Sequence, residues 1–176
     1  MEEQYFIGVD VGSASVRTAV FNKTGQRLGF SVLPIQQFKP KTDYVEQSAT
    51  EIWAQVCLSV RSAVQQSAIN PLHVKSIGFD ATCSLVAVGA NSESISVSPD
   101  GAPEQDIIMW MDHRAATETT TINLTNDPAL RYVGGEVSIE MELPKILWLK
   151  NHFPERYHEV WRFFDFCLLY TSDAAD

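Results

Sequence analysis

Asp10 opens a short run of residues suited to phosphate chemistry, Ile7-Gly8-Val9-Asp10-Val11-Gly12-Ser13-Ala14-Ser15-Val16-Arg17. A carboxylate at the end of an apolar strand is a hard-oxygen partner for Mg²⁺, usually through water. Gly12, Ser13 and Ser15 supply backbone N–H groups and hydroxyls for phosphate oxygens, and Arg17 adds a positive charge. The same residues also suit an ordinary hairpin whose Asp caps a turn, so the pattern alone leaves both readings open.

Polar residues interrupt apolar sequence at three later places. In Gly78-Phe79-Asp80-Ala81-Thr82-Cys83-Ser84, Asp80 and Thr82 can hydrogen-bond a polyol and Ala81 permits close approach, although a strand end with satisfied side chains fits equally well. Cys83 has no adjacent His or cation to favour a thiolate. In Met109-Trp110-Met111-Asp112-His113-Arg114, an extended backbone would put Trp110, Asp112 and Arg114 on one face. That face would stack the C–H side of a sugar on the indole and offer Asp and Arg to its hydroxyls; a buried Trp beside a surface ion pair is the alternative. In Tyr132–Lys145, the Gly134-Gly135 turn precedes acidic residues and a helix start, where negative charge is also ordinary capping chemistry.

The elements that must position these residues follow from periodicity. Strands are expected over Tyr5–Val9, Val16–Phe21 and about Arg27–Leu33, with Asn22-Lys23-Thr24-Gly25 as a turn. Ser48-Ala49-Thr50-Glu51 has the pattern of a capping box, and Ile52, Trp53, Val56, Val60, Ala63 and Val64 recur at helical spacing through about Ser67. Asn70-Pro71 ends that helix, and His73–Asp80 returns as a strand parallel to the first. Leu85–Val88 and Asp106–Trp110 read as strands flanking a polar loop. Helices are expected over Ala115–Leu124, from Pro144 through Lys150, and over Glu155–Trp161 after Pro154. The class is α/β, with no repeat and no visible interdomain linker.

With 176 residues, 45% hydrophobic and 10% aromatic, the chain has material for a core. A net charge of −9 without a block of Lys and Arg argues against a nucleic-acid surface. The three cysteines lack CxxC or Cys/His spacing and read as reduced, buried thiols. The acidic start and the absence of a long apolar run lead to the expectation of a cytoplasmic protein without a membrane partner. Asn123-Leu124-Thr125 reads as an incidental sequon.

Taken in chain order, Gly8–Arg17, Glu46-Gln47 followed by Glu51-Ile52-Trp53, Gly78–Val86, Trp110-x-Asp112-x-Arg114 and Gly134-Gly135-x-x-Ser138-x-Glu140-Met141 resemble the N-terminal domain of the FGGY carbohydrate kinases. The resemblance covers about Tyr5–Asp165 and is nearest to the ribulokinase branch. It implies a ribonuclease H-like, actin-like ATPase fold of the sugar kinase, Hsp70 and actin superfamily, here as an incomplete N-terminal lobe. The implied reaction is ATP- and Mg²⁺-dependent phosphorylation of a ketopentose or related polyol, most simply D-ribulose. By the same resemblance Asp10 would organise the metal, with Gly12, Ser13, Ser15 and Arg17 at the nucleotide phosphates and Ala81, Thr82, Trp110, Asp112 and Arg114 at the sugar. Ala14 departs from the Thr or Gly common in the family.

The family's general-base Asp lies beyond the end of this chain, which therefore carries no expected catalytic base. Residues 1–165 are expected to be a partial kinase domain, and 166–176 depart from the family and are expected to pack little. The chain alone is expected to be inactive, as a truncated or misassembled coding sequence or as a short isoform binding sugar or nucleotide. An actin- or chaperone-like reading shares the phosphate hairpin but leaves the Trp110–Arg114 segment unexplained.

Overall fold

Three strands open the fold: β1 (Tyr5–Val11), β2 (Ser15–Asn22) and β3 (Arg27–Pro34). They are followed by β4 (Glu46–Gln47), α1 (Ala49–Ser67), β5 (Val74–Ala81), β6 (Leu85–Gly89), β7 (Ile107–Ile108), α2 (Ala116–Leu124), α3 (Glu142–His152), α4 (Pro154–Glu159), β8 (Val160–Asp165) and α5 (Phe166–Thr171). This computed structural model describes residues 3–171. They divide into two units, each assembled from separate stretches of chain.

The first unit contains the residues up to Gln36, Thr50–Thr82 and the segment from Cys167. β1, β2 and β3 form an antiparallel meander, and β5 joins β1 in parallel to give the sheet order β3-β2-β1-β5, the return anticipated from the crossover. Strict alternation buries Ile7, Val9 and Val11 of β1 and Val16, Thr18 and Val20 of β2. Ile52, Val56, Ser59 and Ala63 form the buried stripe of α1, whereas Trp53, expected on it, is half exposed. Close approach of α1 to β3 depends on Gly29, because a Cβ there would sit 2.2 Å from the Ala63 carbonyl oxygen.

The second unit contains Gln37–Ala49 and Cys83–Phe166. Its sheet runs β4-β7-β6-β8, with every neighbouring pair antiparallel. Leu85, Ala87, Ile95, Val97, Ile108, Ala115, Trp148 and Leu149 form its core. The threonine-rich α2 is helical as expected, and Thr119, Thr120 and Thr121 donate their hydroxyls to the carbonyls of Ala115, Ala116 and Thr117. Pro144 falls in the first turn of α3, where its missing N–H leaves no helical bond unmade. Asn123 brackets the backbone of Val137 through both its amide groups, a structural use of the sequon residue.

Several expectations are corrected. The strand expected over Asp106–Trp110 is confined to Ile107–Ile108, because the backbone turns at Met109. The helix expected through Trp161 stops at Glu159, and Val-Trp-Arg-Phe-Phe-Asp continues as β8 paired with β6, where its β-branched and aromatic residues gain a partner strand. Packing does not stop at Asp165. Phe166 is 1% exposed and its N–H donates to the Ser84 carbonyl at 2.8 Å. The expected atypical tail continues as α5 through Thr171, and its residues 172–176 lie outside the described residues. The cysteines form no disulfide among the described residues, but Cys83 is exposed and Cys57 and Cys167 are half-buried rather than buried. Among the described residues no helix is long and apolar enough to cross a membrane.

Candidate functional site

In the first unit the turn between β1 and β2 is closed by a hydrogen bond from the Gly12 N–H to the Ser15 carbonyl at 3.0 Å. That commits the Gly12 amide, expected as a phosphate donor, to shaping the turn. Ser13 and Ser15 are half-buried within it and Ala14 is exposed. Asp10 and Arg17 are cross-strand partners in the hairpin register, and the guanidinium donates to the carboxylate at 2.8 Å with both side chains 48% exposed. Beside them the Thr82 N–H donates to the Val11 carbonyl at 3.2 Å, extending the β1–β5 pairing past Ala81. Ala81 and Thr82 are both half-buried.

The parallel register aligns Gly8 with Gly78 and Asp10 with Asp80. An open groove of about 460 Å³ runs over these positions, with Asp10, Asp80 and Arg17 among its lining and Phe30 as an apolar wall. A Cβ at Gly78 would meet no atom within 4 Å, so the bare backbone leaves space rather than relieving a clash. Among the described residues no group of three or more His, Cys, Asp or Glu forms a protein-only metal cage. Two carboxylates in an open groove fit Mg²⁺, which keeps waters and shares its shell with substrate phosphates.

The second unit treats its Asp and Arg differently. The Asp112 N–H donates to the Met109 carbonyl at 3.1 Å, so the Trp110–Arg114 segment is a turn rather than the extended strand that alternation required. Asp112 and Arg114 face inward, with fully buried side chains. Arg114 donates from Nε to Asp112 Oδ1 at 2.9 Å, from Nη2 to Asp112 Oδ2 and Glu46 Oε1 at 2.7 Å each, and from Nη1 to the Val97 carbonyl at 3.0 Å. The Val45 N–H donates to Asp112 Oδ2 at 2.6 Å. The guanidinium lies over the Tyr44 and Trp148 rings, 4.2 and 4.8 Å from their centroids. Burial pushes the Glu46 carboxyl above its ordinary range, against the opposing pull of Arg114.

Of the three residues expected to present one sugar-facing stripe, Trp110 alone retains surface, being half-buried. Its N–H donates to the Ser84 hydroxyl at 3.2 Å. Its carbonyl accepts from Lys145, a residue that sequence reasoning did not reach because a lysine in the first turn of a helix ordinarily faces water. The position of Lys145 just ahead of the buried Trp148 and Leu149 is the one sequence signal that it faces the core. Gly134 and Gly135 form an exposed left-handed turn at φ 87° and 100°, which explains the glycine pair without a ligand.

Residues 5–171 match the N-terminal domain of the FGGY family of carbohydrate kinases. The chain belongs to this family. A D-ribulokinase of Saccharomyces cerevisiae is 46% identical over 166 residues, covering 93% of this chain and 23% of the yeast protein. A human FGGY carbohydrate kinase domain-containing protein is 40% identical, over 93% of this chain and 29% of its own length. The crystal structure of a ligand-bound xylulose kinase from Lactobacillus acidophilus superposes with a TM-score of 0.76 at 19% identity, covering 91% of this chain and 31% of that enzyme. These likenesses establish the actin-like ATPase fold of the sugar kinases, present here as part of the N-terminal domain. The FGGY chain spans about a quarter of the curated relatives it matches.

Proposed function

We propose that this chain is the N-terminal portion of an ATP-dependent carbohydrate kinase whose acceptor is a ketopentose, with D-ribulose the foremost substrate. The observation that carries the substrate class is the 46% identity to the yeast D-ribulokinase across 93% of the chain. When bound, Mg-ATP supplies the transferable phosphoryl group and the metal charge that offsets its oxygens. Asp10 is the residue suited to orient that metal through water. Ser13, Ser15 and Arg17 are suited to the phosphates, while Gly12 fixes the turn that carries them. Arg17 can exchange its carboxylate partner for a phosphate at little cost, because an ion pair this exposed contributes little.

Toward the sugar, in the first unit Ala81 leaves room for close approach and Thr82 offers a hydroxyl; in the second, taken by itself, the half-exposed indole of Trp110 offers an apolar face. Asp112 and Arg114 support the Trp110 turn from within. The test is phosphorylation of D-ribulose, D-xylulose, L-ribulose and glycerol by the full-length protein containing this segment, with the 176-residue chain assayed beside it. The expected result is highest kcat/KM with D-ribulose and no turnover by the isolated chain. Equal or better use of glycerol would reject the substrate, and turnover by the isolated chain would reject the partial-domain reading.

A further inference from the structure

Lys145 is 1% exposed, and its ammonium donates to three backbone carbonyls: Met109 at 2.9 Å, Trp110 at 3.0 Å and Glu140 at 2.8 Å. These oxygens belong to two separate irregular segments, the Met109–Asp112 turn and the approach to α3, where no helix or strand partner serves them. The Met109 carbonyl also closes the turn by accepting the Asp112 N–H. With the Trp110 N–H on the Ser84 hydroxyl and its carbonyl on Lys145, both polar groups of that residue's backbone are held while the indole stays partly exposed.

We propose that Lys145 is the positioning residue for Trp110, its ammonium fixing the Met109–Trp110 backbone against the approach to α3 so that the indole is presented as a sugar-stacking face. The role of the indole rests on the carbohydrate-kinase reading above; the clamp itself does not. A lysine serves here because one –NH₃⁺ carries three donors at a single point, which no apolar residue and no single amide can match. Burial of such a charge is costly, and three charge-assisted hydrogen bonds offset that cost.

The charged groups around the ammonium are Asp112 and Arg114 from the turn, Glu140 from the segment before α3, and Glu142 from its first turn, with Asp165 acting on Glu142 in turn. Burial outweighs the three carboxylates and holds Lys145 down at about 8. A neutral –NH₂ has two hydrogens to donate and therefore releases one of the three carbonyls.

The experiment is ¹⁹F NMR of the 176-residue chain labelled with 5-fluorotryptophan, the Trp110 resonance being assigned through Trp110→Phe. The expected Trp110 resonance moves with a midpoint near pH 8, while that of the exposed Trp53 stays fixed. In Lys145→Met the Trp110 resonance is displaced and the titration is lost. If that variant does not fold, Lys145→Gln, which removes the charge and cannot supply three donors at one point, is read in its place. A Trp110 resonance that is unchanged in Lys145→Met overturns the clamp. In the full-length protein Lys145→Met should raise the sugar KM about tenfold with a smaller change in kcat and in the KM for ATP. An unchanged sugar KM beside a displaced Trp110 resonance would leave the clamp standing and reject the sugar-stacking role.

Discussion

Each unit of this chain holds an Asp–Arg pair at nearly the same distance, 2.8 Å for Asp10–Arg17 and 2.7 Å for Asp112–Arg114, yet the pairs have opposite uses. The first lies half exposed on an open sheet face beside a groove. Water competes for both partners, so exchange for a metal or a phosphate costs little. The second is sealed with Glu46 and between two aromatic rings, where neither partner can leave without stranding a charge. Environment rather than residue type separates a site that can receive a ligand from one that shapes the backbone beside it.

The largest expected effect comes from breaking the sealed pair. Arg114→Met leaves Asp112 and Glu46 buried without their cation and should destabilise the chain by about 3–5 kcal/mol, measured as a lower urea midpoint. A loss below about 1 kcal/mol would place Arg114 with the exposed pairs.

An intermediate effect is expected from Lys145. Its folded pKa of about 8 lies below the ordinary 10.5, so between these values the unfolded chain binds more protons than the folded one. Stability therefore rises with pH across that window, by on the order of 3 kcal/mol in all, even as one clamp bond is released. Urea midpoints at about pH 7.5 and about pH 9.5, compared between wild type and Lys145→Met, isolate the contribution. A wild-type difference no larger than the variant's would contradict it.

The smallest effect is expected at the open pair. Arg17→Ala should change folding stability by less than about 1 kcal/mol. A larger loss would mean that the hairpin, like the Trp110 turn, is held together by its ion pair.

The hairpin was legible because its evidence is local: alternating apolar residues on both strands and small residues between them. The same alternation misled at Trp110–Arg114, since it assumes an extended backbone. The turn there is set by partners 67 and 68 positions away in sequence, the Val45 N–H and the Glu46 carboxylate. No window around Trp110 contains them. β8 was hidden for a similar reason, as Pro154 begins a helix correctly and only pairing with β6 stops it at Glu159. For Lys145 the spacing to Trp148 and Leu149 points to the core, but its role was illegible because the three carbonyls that hold it are not encoded in residue type.

The most direct test of the central claim, phosphate handling at the open pair and sugar presentation at the Trp110 turn, is the kinetic split between Asp10→Ala and Trp110→Ala in the full-length protein with D-ribulose and Mg-ATP. Asp10→Ala should lower kcat by about 100-fold or more with little change in the sugar KM, because metal orientation matters most in the transition state. Trp110→Ala should raise the sugar KM about tenfold and change kcat less. If both variants behave as wild type, or if the two effects are exchanged, the division of roles is wrong.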